Sequence, residues 1–281
     1  MKKKTKIILS IIICVAVIFA STGIWAYFTY LKIDEKETVK ISEINDAADI
    51  TLTAHRGLSA LAPENTLPAI KLAGENNYKY VEFDIHLTKD GIWVLNHDEH
   101  IFRMSDGFGY IKDYTYNQLM EYTINNGANH ENYPDMKFPT LDEALDLCAE
   151  YDILPMIEIK GYTDEGISSL VESITNHGFE KSCYVISFVY DAINAVQAVD
   201  PDINVLYVIK ELNDDNISQC IDKKNWGVSF KALPDKNTAE HLKKLQAAGA
   251  ELFCWTVDKA EYVDFYYPLG VKNFVTNRIL P

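Results

Sequence analysis

Five short clusters hold side chains whose types and spacing could do chemistry: His55-Arg56-Gly57, Pro63-Glu64-Asn65-Thr66, Glu82-Phe83-Asp84, His97-Asp98 and Glu158-Ile159-Lys160. The first, third and fifth lie in β-like apolar runs, from which ionised groups are normally excluded. Three carboxylates, two imidazoles and two cations at strand ends are the parts of a metal-assisted acid/base site. Strand alternation sorts them. Val81, Phe83, Ile85 and Leu87 share one face, and Glu82, Asp84 and His86 the other. Likewise Ile157 and Ile159 face one way, Glu158 and Lys160 the other. Carboxylates packed that closely raise one another's pKa, a cost that one divalent cation removes. An all-oxygen set without a cysteine group suits Ca²⁺ or Mg²⁺. The competing reading is a buried ion-pair lattice of these acids with Arg56 and Lys160.

The elements that must position these residues recur along the chain. Strands are expected at Thr51–His55, Tyr80–His86, Leu154–Ile159, Cys183–Ser187, Val205–Ile209, Gly227–Phe230, Leu252–Val257 and Asn273–Thr276. Trp93–His97 follows the turn signal Lys89-Asp90-Gly91 and reads as a hairpin extension of the second strand. Between the strands lie helix signals. Thr140 with Glu143, Asn237 with Glu240 and Asp258 with Glu261 have capping-box spacing, and Asp191 can start a helix ending before Pro201. Strands alternating with helices over about 245 residues favour an α/β fold of the parallel (β/α)8 TIM-barrel type. A doubly wound open sheet is the alternative, but no glycine-rich dinucleotide turn follows the first strand. The stretch from about 100 to 139, rich in Gly, Asn and Tyr, reads as a small insertion near the site.

Residues 7–31 form an uncharged run after Lys2, Lys3, Lys4 and Lys6. As a helix it would span roughly 37 Å, enough to cross a hydrocarbon core of about 30 Å. The expectation is a short cytoplasmic basic tail (1–6), a transmembrane signal anchor (7–31), a linker (32–50) and a catalytic body (51–281) outside the cell membrane. A cleaved signal peptide, releasing the body, is the competing reading. Of the 26 basic residues five precede Ile33, so the remainder carries 21 against 41 acidic ones. That balance argues against nucleic acid as a partner. It leaves a small anionic substrate open, because a bound cation and a few bases can invert the local potential. The four cysteines of the body fall in strand-like or helix-like runs and read as buried thiols.

The chain from about Leu52 to its end resembles the glycerophosphodiester phosphodiesterase family. The resemblance rests on Ala54-His55-Arg56-Gly57, Pro63-Glu64-Asn65-Thr66, Glu82-Phe83-Asp84-Ile85-His86-Leu87-Thr88-Lys89-Asp90-Gly91 and His97-Asp98, in order and spacing. Arg103 through Gly109, Pro139-Thr140-Leu141, Glu158-Ile159-Lys160, Ser187-Phe188 and Cys254-Trp255-Thr256-Val257 continue it.

By this resemblance the fold is a (β/α)8 barrel. Glu82, Asp84 and Glu158 would bind the divalent metal, His55 and His97 would be general base and acid in an order the sequence leaves open, and Arg56 and Lys160 would hold the phosphate. Attack of the glycerol 2-hydroxyl on phosphorus would expel the alcohol and leave a cyclic phosphate that water opens. Trp255 would wall the glycerol. Glu64 and Asn65 read as supporting the site from behind, Glu64 by orienting His55 or Arg56; the competing reading has Asn65 or Thr66 capping the first helix, with Pro68 in its first turn. One departure is visible: the family usually closes with Thr-Asp after the last strand, where this chain has Thr276-Asn277. The lost carboxylate is expected to alter substrate fit rather than abolish activity. The substrate class implied is a glycerophosphodiester or a glycerol-phosphate polymer. The competing functions are a phospholipase D-like hydrolase of intact lysophospholipid or sphingomyelin-type lipids, and a non-catalytic phosphodiester-binding protein on the cell surface.

Overall fold

The structure, a computed structural model, describes residues 37–45, 49–221 and 223–281. Eight strands form a closed parallel barrel: β1 Thr51–Ala54, β2 Tyr80–Leu87, β3 Leu154–Ile159, β4 Tyr184–Ser187, β5 Asn204–Ile209, β6 Trp226–Lys231, β7 Glu251–Trp255 and β8 Asn273–Thr276. Each pairs with the next, and β8 closes on β1 with Thr276 opposite Ala54. Helices cross back between strands: α1 Leu67–Glu75, α2 Leu141–Glu150, α3 Asp164–Asn176, α4 Tyr190–Val199, α5 Asp214–Cys220, α6 Ala239–Ala247 and α7 Ala260–Tyr266.

Period-two alternation divides the apolar residues into two cores. Val81, Phe83, Ile85, Ile157, Val185, Val205 and Val228 face outward against the helices. Tyr80, Met156, Tyr184, Ile186, Leu206, Val208, Phe253 and Val275 fill the barrel interior. Glu82 and Asp84 continue the inward face above Tyr80, and Glu158 continues it above Met156, so the carboxylates lie on a packed apolar floor.

The hairpin forms as Trp93–Leu95, antiparallel to β2 with Leu95 opposite Ile85. Gly91 turns it at φ +82°, where glycine alone is free of strain. The chain from 96 to 139 then buries Ile101, Ile111, Leu119, Ile124 and Phe138. Part of the stretch read as linker is ordered into the body: Val39–Lys40 pairs in parallel with Ile279–Leu280.

The N-terminal expectations require correction. The tail and anchor, residues 1–31, lie outside the described residues. Among the described residues no helix is long and apolar enough to cross a membrane. Their longest, α3, has 13 residues and reaches only about 20 Å of the roughly 30 Å needed. It also buries one face, Ile167, Leu170, Val171 and Ile174, against the barrel. The transmembrane helix, the membrane as a partner and the single-pass topology with an extracellular catalytic body are therefore withdrawn.

Candidate active site

The first cluster lies just beyond β1, where the chain turns sharply. Arg56 and Gly57 both have positive φ, +59° and +76°. Gly57 is required here: a Cβ would lie 2.6 Å from the Ala69 backbone as the loop crosses α1. The turn aims two backbone donors at one residue. Arg56 N–H donates to Glu82 Oε2 at 2.8 Å, and Gly57 N–H to the Glu82 carbonyl at 3.0 Å. Thr66 caps α1, while Asn65, also at positive φ, turns inward. Asn65 is clamped to Asp84 twice, donating from Nδ2 to Oδ2 at 2.8 Å and accepting the Asp84 N–H at 2.9 Å.

Glu82, Asp84 and Glu158 converge. Each is buried, Asp84 stands beside Glu158 in the ladder, and one oxygen from each lies within 4.8 Å of the others. Lys160 Nζ bridges Asp84 at 2.8 Å and Glu158 at 2.5 Å, and Arg56 Nε approaches Asp84 at 3.5 Å. The ion-pair lattice considered from sequence is thus present, but it does not satisfy the cluster. Glu82 Oε1 is buried with no hydrogen-bond partner. Burial, then the Asp84 and Glu158 charges, push the Glu82 carboxyl well above the usual range. Burial and Asp84 push Glu158 up as well. Burial acts on Asp84 too, but Lys160 and Arg56 outweigh it and hold Asp84 below its ordinary value. An all-oxygen, over-negative cluster with an orphaned acceptor is what a hard divalent cation fits.

The histidines flank this cluster. His55 Nε2 is 3.9 Å from Glu82 Oε2, and its Nδ1 is 2.8 Å from Asn277 Oδ1. Burial, helped by Arg56, pushes the imidazole down to about 4, so it is neutral at pH 7. His97 follows the hairpin strand, with Nδ1 at 2.8 Å from Asp98 Oδ1. A chain of ion pairs joins the two sides. Arg103 donates to Asp98 at 2.5 Å and to Glu64 Oε1 at 2.6 Å, and the same Glu64 oxygen accepts from Arg56 Nη1 at 2.9 Å. Burial opposes ionisation of Glu64, but Arg56 and Arg103 hold it down to about 2. Of the two partners expected for Glu64, His55 and Arg56, the ion pair is with Arg56.

A cavity of about 250 Å³ opens beside the cluster. His55, Arg56, Glu82, His97, Glu158 and Lys160 line one side. The other has Ile186, Val208, Phe188 and Trp255. Trp255 meets Phe188 edge-on at 5.6 Å and is fixed by its indole N–H on the Ser229 carbonyl at 3.0 Å. Every expected site residue thus belongs to this one constellation, Glu64 and Asn65 through their bonds to Arg56 and Asp84. Three further residues had no place in the site assigned from sequence. Arg103 sits in the aperiodic insertion. Lys210 lines the cavity 5.7 Å from the Phe188 ring. Its signal was a cation directly after an apolar strand, as at Lys160. Asp258, read as a helix cap, binds Asn277 instead, at 2.6 Å from Nδ2.

With this geometry established, known proteins supply a context. Residues 55–280 match the glycerophosphoryl diester phosphodiesterase family. A glycerophosphodiester phosphodiesterase of Caldanaerobacter subterraneus is 31% identical over 80% of this chain and 92% of its own. Glycerophosphodiester phosphodiesterase 1 of Mus musculus is 27% identical over 90% and 85%. Among solved structures, a phosphodiesterase of Oleispira antarctica in complex with the product sn-glycerol-3-phosphate superposes with a TM-score of 0.72. It is 25% identical, covering 84% of this chain and 94% of that one.

Proposed function

Because the chain belongs to the glycerophosphoryl diester phosphodiesterase family, we propose that it hydrolyses glycerophosphodiesters to an alcohol and glycerol 3-phosphate. One observation carries the reading: Glu82, Asp84 and Glu158 meet within 4.8 Å, with both histidines and both cations on the same cavity. A Ca²⁺ or Mg²⁺ ion held by these carboxylates would supply Lewis-acid stabilisation of charge building on the phosphoryl oxygens.

The chain's own residues do the rest. Arg56 and Lys160, fixed by Glu64, Asp84 and Glu158, present positive charge to the phosphate. Trp255 and Phe188 exclude water from the carbon face of the glycerol. Neutral His55 takes the proton of the glycerol 2-hydroxyl as that oxygen bonds to phosphorus. His97 gives a proton to the departing alcohol oxygen as its P–O bond breaks. In the second half, His97 takes a proton from water, whose oxygen opens the cyclic phosphate, and His55 returns its proton to the 2-oxygen. Such paired proton transfer contributes about 10²–10⁴ in rate. Asp98 accepts from His97 Nδ1, so the transferred proton moves at Nε2.

The test is release of glycerol 3-phosphate from sn-glycero-3-phosphocholine by the full chain. Release that stops with EDTA, returns with Mg²⁺ or Ca²⁺ and is lost in His55→Ala supports the reading. No turnover with either cation overturns it, and choline release from intact lysophosphatidylcholine alone would transfer the site to lipid hydrolysis.

A further inference from the structure

We infer that Asn277 and Asp258 together position His55, fixing both the tautomer and the direction of its ring. This rests on the proposed reaction, in which His55 Nε2 takes the first proton. The hydrogen bonds run in one direction. The Thr276 hydroxyl accepts the N–H groups of Arg278 and Ile279 at 3.2 and 3.0 Å, so its own hydrogen is left for Asp258 Oδ1 at 3.2 Å. Asp258 Oδ1 also accepts the Asn277 N–H at 2.8 Å. Asp258 Oδ2 accepts from Asn277 Nδ2 at 2.6 Å. A carboxylate receiving three donors can only face the NH₂ end of the amide.

The amide is thereby oriented, and Oδ1 points back toward the first strand. It lies 2.9 Å from Ser59 Oγ and 2.8 Å from His55 Nδ1. An amide oxygen only accepts, so His55 carries its proton on Nδ1. The lone pair of the neutral ring is then on Nε2, the nitrogen directed at the Glu82 side of the cavity. Barrel closure sets the distances: His55 N–H donates to the Thr276 carbonyl at 2.8 Å, and Ala60 N–H to that of Asn277 at 3.2 Å. The carboxylate missing at position 277 has not disappeared from the rim. It stands one residue further back, at Asp258, and acts through the amide. Placing Asp at 277 alone would set two carboxylates face to face at hydrogen-bond distance. Exchanging both residues would again set an amide donor against a carboxylate acceptor, with the direction reversed.

Two measurements on the full chain test this. In ¹⁵N-histidine-labelled wild type, His55 is expected as the Nδ1–H tautomer in long-range ¹H–¹⁵N spectra, independent of any turnover. A His55 proton on Nε2 overturns the inference. In kinetics, Asn277→Leu and Asn277→Asp are each expected to lower kcat on the order of 10²-fold, the scale of a misdirected catalytic group, with KM within about twofold. The double exchange Asp258→Asn with Asn277→Asp should recover kcat to within about tenfold of wild type. Unchanged kcat in Asn277→Leu, or a double exchange no better than Asn277→Asp, sinks it. Wild-type inactivity with the Nδ1–H tautomer present would strike the proposed function and leave the positioning intact.

Discussion

Glu82 is the member of the carboxylate cluster least compensated by the protein, and replacing it isolates what a cation does there. Asp84 has Lys160 and Asn65, and Glu158 has Lys160, whereas Glu82 Oε1 has no partner. With oxygens no more than 4.8 Å apart, each pair of charges repels by at least ~3.5 kcal/mol at an effective dielectric constant of 20. Glu82→Gln removes two such pairs and keeps an amide oxygen for the Arg56 N–H. It gives up attraction to the Arg56 guanidinium, taken as the size of one pair. The net gain is roughly 3 kcal/mol, a rise of about 6–12 °C in Tm for a domain of this size. The pH sign follows. A carboxyl raised in the folded state makes the metal-free wild type lose stability as pH rises above the ordinary carboxylate range, and Gln flattens that fall. A cation at 100 times its Kd should stabilise wild type by about 2.7 kcal/mol, or about 5–10 °C, and the variant far less. Thermal melts in EDTA, Mg²⁺ and Ca²⁺ at pH 7–8 provide the assay. A metal-free Glu82→Gln that melts below wild type, or that gains as much from cation, refutes the reasoning.

Two other outcomes follow from the same geometry. Glu64→Gln should cost about 3 kcal/mol above pH 5, from a carboxyl held at about 2 against an ordinary 4.5; because that contribution is lost as pH falls through the folded pKa, the gap to wild type should close toward pH 2, and urea melts across pH check it. Trp255→Ala, which opens the apolar wall beside Phe188, should raise KM for a glycerophosphodiester about tenfold with a smaller change in kcat, whereas a fall in kcat alone would make Trp255 plain barrel filling.

The barrel was legible because strands announce themselves by alternation. Tyr80 to Leu87 puts apolar residues on the helix side at every second position, and Glu82 and Asp84 stand out as acids on a face that otherwise reads as core. The same rule put Glu158 and Lys160 on one face of their strand, while the pairing of Glu158 with Asp84 comes from the register between strands. Local rules failed where a polar side chain serves a distant partner. Thr140 and Glu143 do form the expected capping box on α2. Asn237 does not cap α6, which begins behind Thr238. Buried, Asn237 instead ties the ends of β5 and β6 through the Lys210 and Lys231 carbonyls and the Leu212 N–H. Asp258 does not cap α7, which begins behind Lys259, because Asn277 occupies it. A capping motif and a tertiary bridge use the same residue types, and spacing alone does not separate them. The chain from Glu64 through Arg103 to Asp98 was hidden for a related reason: Arg103 lies 39 positions from Glu64, in a segment without periodicity.

The proposed reaction cleaves a glycerophosphodiester to glycerol phosphate at the site between His55 and His97. Following ³¹P resonances of sn-glycero-3-phosphocholine with the full chain and Mg²⁺ or Ca²⁺ tests it most directly. The diester signal should give way to the monoester of glycerol 3-phosphate, with free choline, and should persist in His55→Ala and His97→Ala. Appearance of phosphocholine, or conversion undiminished in both variants, would rule out this reaction at this site.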